Sequence, residues 1–289
     1  MNIQLQQMTL NDLSFCSTLV KQAGWNQIDQ DWNRLMALHF TGCFIAKMNG
    51  RSVGTIASTR FLPGQKGNSQ DCAWISMVLV HQDYRGQGIG REMMVRIVGY
   101  LKEQKVNTIR LDATSMGQKL YSKLGFKEEY KLIRMVRQTT TTPPEPSPIR
   151  STYVDVELLA DLDIRFTATN RIDLFEKLIE ETSTAILTVS NMDNSLSGFV
   201  ILRPGRLAWQ IGPCICADPQ LGNELLTRAL SYIPSEKVMI DIPTSNNLAL
   251  QWAVQNKFVE QRKFIRMYYG QKIEDNPLNI MASFGPEKG

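Results

Sequence analysis

Three glycines with one residue between each open the run Val78-Leu79-Val80-His81-Gln82-Asp83-Tyr84-Arg85-Gly86-Gln87-Gly88-Ile89-Gly90-Arg91 to close approach by a ligand. An apolar strand-like stretch precedes them, and the amphipathic segment Glu92 to Gln104 follows. A strand, a glycine turn and a helix N-terminus together make an anion site. The first N–H groups of a helix have no internal partner, and the helix dipole favours negative charge there. The chemistry expected of residues 80–95 is therefore the holding of a phosphate-bearing cofactor.

Charge is distributed in keeping with this. The chain of 289 residues carries a net +4. Residues 1–137 hold 18 Lys/Arg and 10 Asp/Glu, a balance of +8, whereas residues 138–289 hold 14 and 18, a balance of −4. The basic half is the half with the glycine loop, as suits an anionic ligand. No Lys/Arg run with interleaved aromatics is present, which argues against nucleic acid as a partner. No stretch of 18 apolar residues exists, and the N-terminus has neither a basic n-region nor an apolar h-region, so neither a membrane span nor a signal peptide is expected. The five cysteines are odd in number, and the one-residue spacing of Cys214 and Cys216 matches no zinc pattern. They read as reduced thiols of a cytoplasmic protein with no metal.

The elements that must position the loop alternate between helix and strand periods. In the first half, strands are expected at Asn2–Gln7, at a hairpin of Cys43–Met48 and Val53–Phe61 turned at Asn49-Gly50, and at Ala73–Val80, Thr108–Ala113 and Lys127–Val136. Helices are expected at Asn11–Ala23, Asp31–Phe40, Ile89–Gln104 and Gly117–Leu124. In the second half, a hairpin of Thr184–Ser190 and Ser197–Arg203 around Met192-Asp193-Asn194 is followed by strand Leu207–Ile211 and helix Pro219–Ile233. Strand Val238–Ile242, helix Asn247–Asn256 and strand Glu260–Met267 complete it. Between the halves, residues 138–148 contain four prolines and five Thr/Ser and read as a semi-extended linker.

The halves repeat at a spacing of 132 residues: Phe126 with Phe258, Ile133 with Ile265, Arg134 with Arg266 and Met135 with Met267, while Leu111-Asp112 aligns loosely with Ile240-Asp241. The copies differ at the loop. The second-half turn Cys216-Ala217-Asp218-Pro219-Gln220-Leu221-Gly222-Asn223 has one glycine, and Asp218 followed by Pro219 is an ordinary helix start. One cofactor site per chain is expected.

Arg85-Gly86-Gln87-Gly88-Ile89-Gly90 resembles the Arg/Gln-x-x-Gly-x-Gly/Ala acetyl-CoA motif of the GNAT N-acetyltransferases, and Leu120-Tyr121-Ser122-Lys123-Leu124-Gly125-Phe126 resembles the Leu-Tyr-x-x-x-Gly-Phe element after that family's fifth strand. The whole chain resembles a bacterial tandem subfamily whose C-terminal domain is a diverged copy. The resemblance implies an α/β (α+β) fold of two tandem domains, each a mixed, mostly antiparallel sheet flanked by helices. It implies an acetyltransferase domain at 1–137, a Pro/Thr-rich linker at 138–153, and a non-catalytic GNAT-like domain at 154–289. Acetyl-CoA would be held by backbone across Arg85, Gly86, Gln87, Gly88, Ile89, Gly90 and Arg91, with Leu79 and Val80 bonding the pantetheine arm and supplying an oxyanion donor. Tyr121 would protonate the departing thiolate.

The motif is not complete. Thr114 stands where the family often has Asn, Gly117 where it has Ala, and Trp74 where some members have a glutamate base. Asp112 is the remaining carboxylate candidate, set against a purely local role capping a turn, and His81 reads as a lead into the loop. The acceptor, an amine-bearing small molecule, is expected against Trp25, Asn26, Gln27 and Trp32 of the first helical region, with the second domain closing over it, set against an equal reading in which both tryptophans pack the helix pair. Ala253 and Lys257 replace Tyr121 and Gly125 in the second copy, which removes the acid there. Two other functions compete: a dinucleotide-binding dehydrogenase, disfavoured because four residues separate strand end from Arg85, and a non-catalytic acyl-CoA-binding regulatory module. Homodimerisation is left open.

Overall fold

A computed structural model describes residues 3–64, 69–139, 155–181, 184–191, 195–233 and 236–289. In chain order the first half forms β1 (Ile3–Gln7), α1 (Leu13–Ala23), α2 (Asp29–Leu38), β2 (Cys43–Met48), β3 (Arg51–Phe61), β4 (Cys72–Val80), α3 (Ile89–Glu103), β5 (Thr108–Thr114), α4 (Ser115–Lys123) and β6 (Lys127–Arg137). The second half forms α5 (Val156–Thr167), α6 (Ile172–Ile179), β7 (Ala185–Ser190), β8 (Leu196–Arg203), β9 (Trp209–Cys216), α7 (Pro219–Tyr232), β10 (Val238–Pro243), α8 (Asn247–Gln255), β11 (Val259–Gly270) and β12 (Ile280–Ala282). The expected elements are all present. The hairpin turn at Asn49-Gly50 has both residues at positive φ, as a tight two-residue turn requires. The turn at 192–194 and most of the expected linker at 138–153 lie outside the described residues.

Four elements extend the sequence reading. Helices α5 and α6 were not anticipated. Strand β9 runs on to Cys216 instead of ending at Ile211, and β12 is a short strand paired with it.

The two halves do not make separate sheets. Among the described residues all twelve strands join in one sheet, ordered β1-β2-β3-β4-β5-β11-β6-β10-β9-β8-β7, with β12 on β9. Strands β6 and β11, which follow α4 and α8, have each crossed to the other half. Strand β11 pairs antiparallel with β5 (Met267 opposite Leu111), and β6 pairs antiparallel with β10 (Arg134 opposite Asp241). The crossed strands also pair with each other. Met267 of β11 is buried in the first-half core and Met135 of β6 in the second-half core, so each exchanged strand contributes apolar side chains to the half it joins. One apolar core, with Met93, Ile97 and Leu101 of α3, covers one face of the first half. A second, with Leu19, Val20 and Leu35 of α1 and α2, covers the other.

Candidate active site

Strands β4 and β5 run parallel and pair only at Cys72–Trp74 with Thr108–Arg110. Beyond that point they separate. The separation is reinforced by a bulge in β4: between the pairs Thr55–Leu79 and Ala57–Ser76, one β3 residue faces the two β4 residues Met77 and Val78. Met77 takes a φ of 52°, costly for a side-chain-bearing residue, and the buried Thr55 hydroxyl fixes the bulge by donating to the Met77 carbonyl at 2.8 Å. Nothing in the residue types at 76–78 announces this bulge.

A cleft opens in the gap. Ile75, Ser76, Met77 and Val78 line one wall; Leu111, Asp112, Thr114 and Tyr121 line the other. The floor and rim come from elsewhere: Trp25 and Gln27 from the α1–α2 connection, Arg134 from β6, and Arg262, Phe264, Pro286 and Glu287 from the second half.

At one end of β4 lies the glycine loop. Arg85 to Gly88 are exposed, and Gly88, left-handed at φ 77°, is the N-cap of α3 with no side chain to cap it. The leading N–H groups of this 15-residue helix are thereby left for a ligand. Arg85 donates through Nε to the Val80 carbonyl at 3.1 Å and anchors the loop to the strand end. The equivalent places in the second half are filled. Asp218 caps α7 by accepting from the Gln220 N–H at 2.9 Å. The gap between β9 and β10 is occupied by the chain itself: β12 pairs with Cys214 and Ile215, the Ser283 N–H donates to the Asp241 carbonyl at 2.7 Å, and Asn246 holds the Pro277, Leu278 and Ile280 carbonyls. A side chain at Gly212 would collide with the Ser283 carbonyl, with its Cβ only 2.1 Å away.

Tyr121 projects from α4 into the cleft. Thr114, in place of the family's Asn, caps that helix by accepting from the Gly117 N–H at 3.3 Å. Gly117 accommodates the tyrosine ring, since a Cβ there would lie 2.8 Å from it. Burial pushes the phenol up to about 12, so it is neutral at physiological pH.

Several expected residues take other roles. Asp112 lines the cleft, but its two oxygens are held by Arg266 at 3.0 and 3.1 Å, so it is no free base and no turn cap. Trp32 does not line the cleft: it is 1% exposed and packed among the α1–α2 core residues. Asn26 joins the halves, accepting from the Leu207 and Ala208 N–H groups at 2.8 and 3.0 Å. Trp25 and Gln27 do line the cleft. Leu79 is buried against α1 and α2, and Val80 ends β4 beside the loop. Trp74 stacks beneath the Arg266 guanidinium, 4.7 Å from the ring centre, and donates through Nε1 to the Pro286 carbonyl at 3.0 Å. His81 bonds Gln22 at 2.9 Å and stacks near Phe15, as a residue leading into the loop would.

The contribution of residues 286–288 was not visible in sequence. Glu287 accepts from Gln27 Nε2 at 2.9 Å. Burial opposes its charge, but Lys288 and Arg203 outweigh burial and hold the carboxyl down at about 2. Asp31, Arg34 and Lys288 extend this buried network. Among the described residues, no group of three or more His, Cys, Asp or Glu could hold a metal, and no helix is long and apolar enough to cross a membrane.

The cleft thus combines a strand pair splayed by a bulge, an uncapped glycine-led helix at one end and a tyrosine across the gap. The sequence comparisons supply the family. Residues 7–126 match the family described as "Acetyltransferase (GNAT) family", and residues 159–282 match "Acetyltransferase (GNAT) domain". The chain belongs to the GNAT acetyltransferases and carries two tandem copies of the domain. A protein from Pyrococcus horikoshii assigned as an acetyltransferase shares the fold with a TM-score of 0.82 at 22% identity, over 99% of this chain and 96% of that one. A tandem GNAT protein from the clavulanic acid biosynthesis pathway superposes with a TM-score of 0.67 at 12% identity, over 95% and 100% of the two chains. A curated relative, an uncharacterized N-acetyltransferase (ycf52) from Gracilaria tenuistipitata var. liui, is 39% identical over 49 residues, 17% of this chain and 27% of that protein's length.

Proposed function

We propose that the protein transfers an acetyl group from acetyl-CoA to a primary amine of a small molecule, using one site in residues 1–137, with residues 154–289 shaping that site without a second catalytic centre. The observation that carries this reading is Tyr121 facing the bulged, unpaired edge of β4 across the cleft. That edge, at Leu79 and Val80, suits the pantetheine arm and offers a preset N–H donor for developing negative charge. The loop Arg85 to Gly90 and the start of α3 at Arg91 suit the pyrophosphate.

Tyr121 would act on the departing sulfur. A thiol titrates at about 8.5, whereas burial pushes this phenol up to about 12, so full proton delivery is uphill. Its part is a strong hydrogen bond donated to the thiolate, with water able to complete the transfer. The amine must arrive neutral. The cleft carboxylates Asp112 and Glu287 are both held by cations, so its proton would leave through water. Positioning in the cleft supplies the remaining rate advantage. The cover given to the cleft by residues of the second half favours a small acceptor over a protein surface. Five free, buried thiols suit a reducing compartment such as the cytoplasm.

The experiment is calorimetric titration with acetyl-CoA, together with thiol release in the presence of a broad amine panel. Binding of acetyl-CoA and amine-dependent release support the reading. Binding without release by any amine favours a regulatory module, and no binding overturns both.

A further inference from the structure

The charged groups of the cleft do not balance. Arg134 is matched by Asp241, Asp112 by Arg266, and Glu287 by Lys288 and Arg203. Arg262 alone among the charged residues lining the cleft has no carboxylate partner among the described residues. It is half-buried and lies directly opposite Arg134 in the β11–β6 register, where the bulge between Glu260 and Arg262 sets it beside a second guanidinium. Like charges facing each other across a strand pair are unfavourable, and Asp241 already has both oxygens on Arg134.

Two polar atoms in the same cleft are also unsatisfied. Gln27 Oε1 and Ser76 Oγ are buried with no hydrogen-bond partner, on residues 8% and 4% exposed. The bond from Gln27 Nε2 to Glu287 fixes which end of the amide is the free acceptor. A buried acceptor and hydroxyl without partners carry a desolvation cost that a bound N–H or ammonium donor would relieve. The cleft therefore offers acceptors for an amine and, from the second half, a fork of N–H donors suited to a planar anion.

We propose that the acceptor is an amine bearing its own carboxylate, an amino-acid-like molecule, with the carboxylate paired to Arg262 and the amine directed to Gln27 and Ser76. This rests on the acetyltransferase reading. It gives the second half a definite task, the choice of acceptor.

The full chain is assayed by thiol release with matched amines that differ only in the carboxylate: amino acids, their amides and their decarboxylated amines. The acid should be preferred at least about tenfold in kcat/KM, the scale of one hydrogen bond to a charged group. Arg262→Gln should raise KM for the acid about tenfold or more and erase the preference, while KM for acetyl-CoA stays unchanged. Arg262→Lys should retain part of the preference. Three results overturn the acceptor class alone: amides or decarboxylated amines used equally well, acetyl-CoA bound with no carboxylated amine turned over, or Arg262→Gln acting on KM for acetyl-CoA instead. Failure to bind acetyl-CoA would instead overturn the reading on which the inference rests.

Discussion

Asp112 and Arg266, 154 residues apart, form a buried two-pronged ion pair that is the counterpart of Arg134 with Asp241. Each arginine occupies the same place in its copy of the repeat, and so does each aspartate. Each reaches into the opposite copy, because β6 and β11 have changed places. The exchanged strands are thus pinned by two ion pairs related by the repeat, and Asp112 is committed to architecture.

Asp112→Asn would leave the buried Arg266 short of one counter-charge. Removing one partner of a buried pair costs about 3–5 kcal/mol. The low end applies here because Arg266 retains Asp275 at 3.2 Å. Urea unfolding should register this loss, while kcat of the folded fraction stays within a few-fold of wild type. A collapse of kcat with unchanged stability would instead restore Asp112 as a base.

Tyr121→Phe should lower kcat about 100-fold, the low end for a positioned proton donor, with KM for acetyl-CoA and the unfolding midpoint little changed. Gly117→Ala tests the same group through geometry. Its Cβ would meet the ring at 2.8 Å, so the hydroxyl must shift and kcat should fall although the hydroxyl itself remains. Full activity in both variants would remove Tyr121 from the mechanism.

Acetyl-CoA should bind once per chain. The second copy has its helix cap filled by Asp218 and its strand gap filled by residues 276–283. Calorimetry should give a stoichiometry of one. Gly88→Ala, which forces a side chain into a left-handed backbone, should weaken that single site, since the strain is about 1–2 kcal/mol. Two equivalent sites would contradict the plugged second gap.

Glycine spacing, helix and strand periods and the 132-residue repeat made the loop, the helix after it and the tandem design legible in the sequence. The strand exchange was not, because a strand carries the same alternation whichever copy it joins. Trp32 was misplaced for a related reason: periodicity puts it on a helix but does not say which face meets the cleft. Arg262 and Glu287 were invisible as site residues, since each reaches the cleft only through contacts that span more than a hundred residues. The bulge at Met77 had no signal in residue type, and only the fixed Thr55 hydroxyl beneath it reveals its purpose.

Acid should loosen the contact between the halves. Glu287 has its carboxyl held at about 2 against an ordinary 4.5, and Asp31 in the same network is also shifted down, in both cases against burial and by Lys288 first. A folded-state pKa below the unfolded one means that the stabilisation is complete above about 4.5 and is lost as pH falls toward about 2. Thermal unfolding midpoints should therefore fall steeply across that window. Glu287→Gln should lower the midpoint at neutral pH, where Lys288 loses a counter-charge, and flatten the acid limb because one of the titrating groups is gone. The same variant should raise KM for the acceptor, since Gln27 loses the charged partner that fixes its free oxygen in the cleft. An unaltered acid limb in Glu287→Gln would mean that other carboxylates govern acid unfolding.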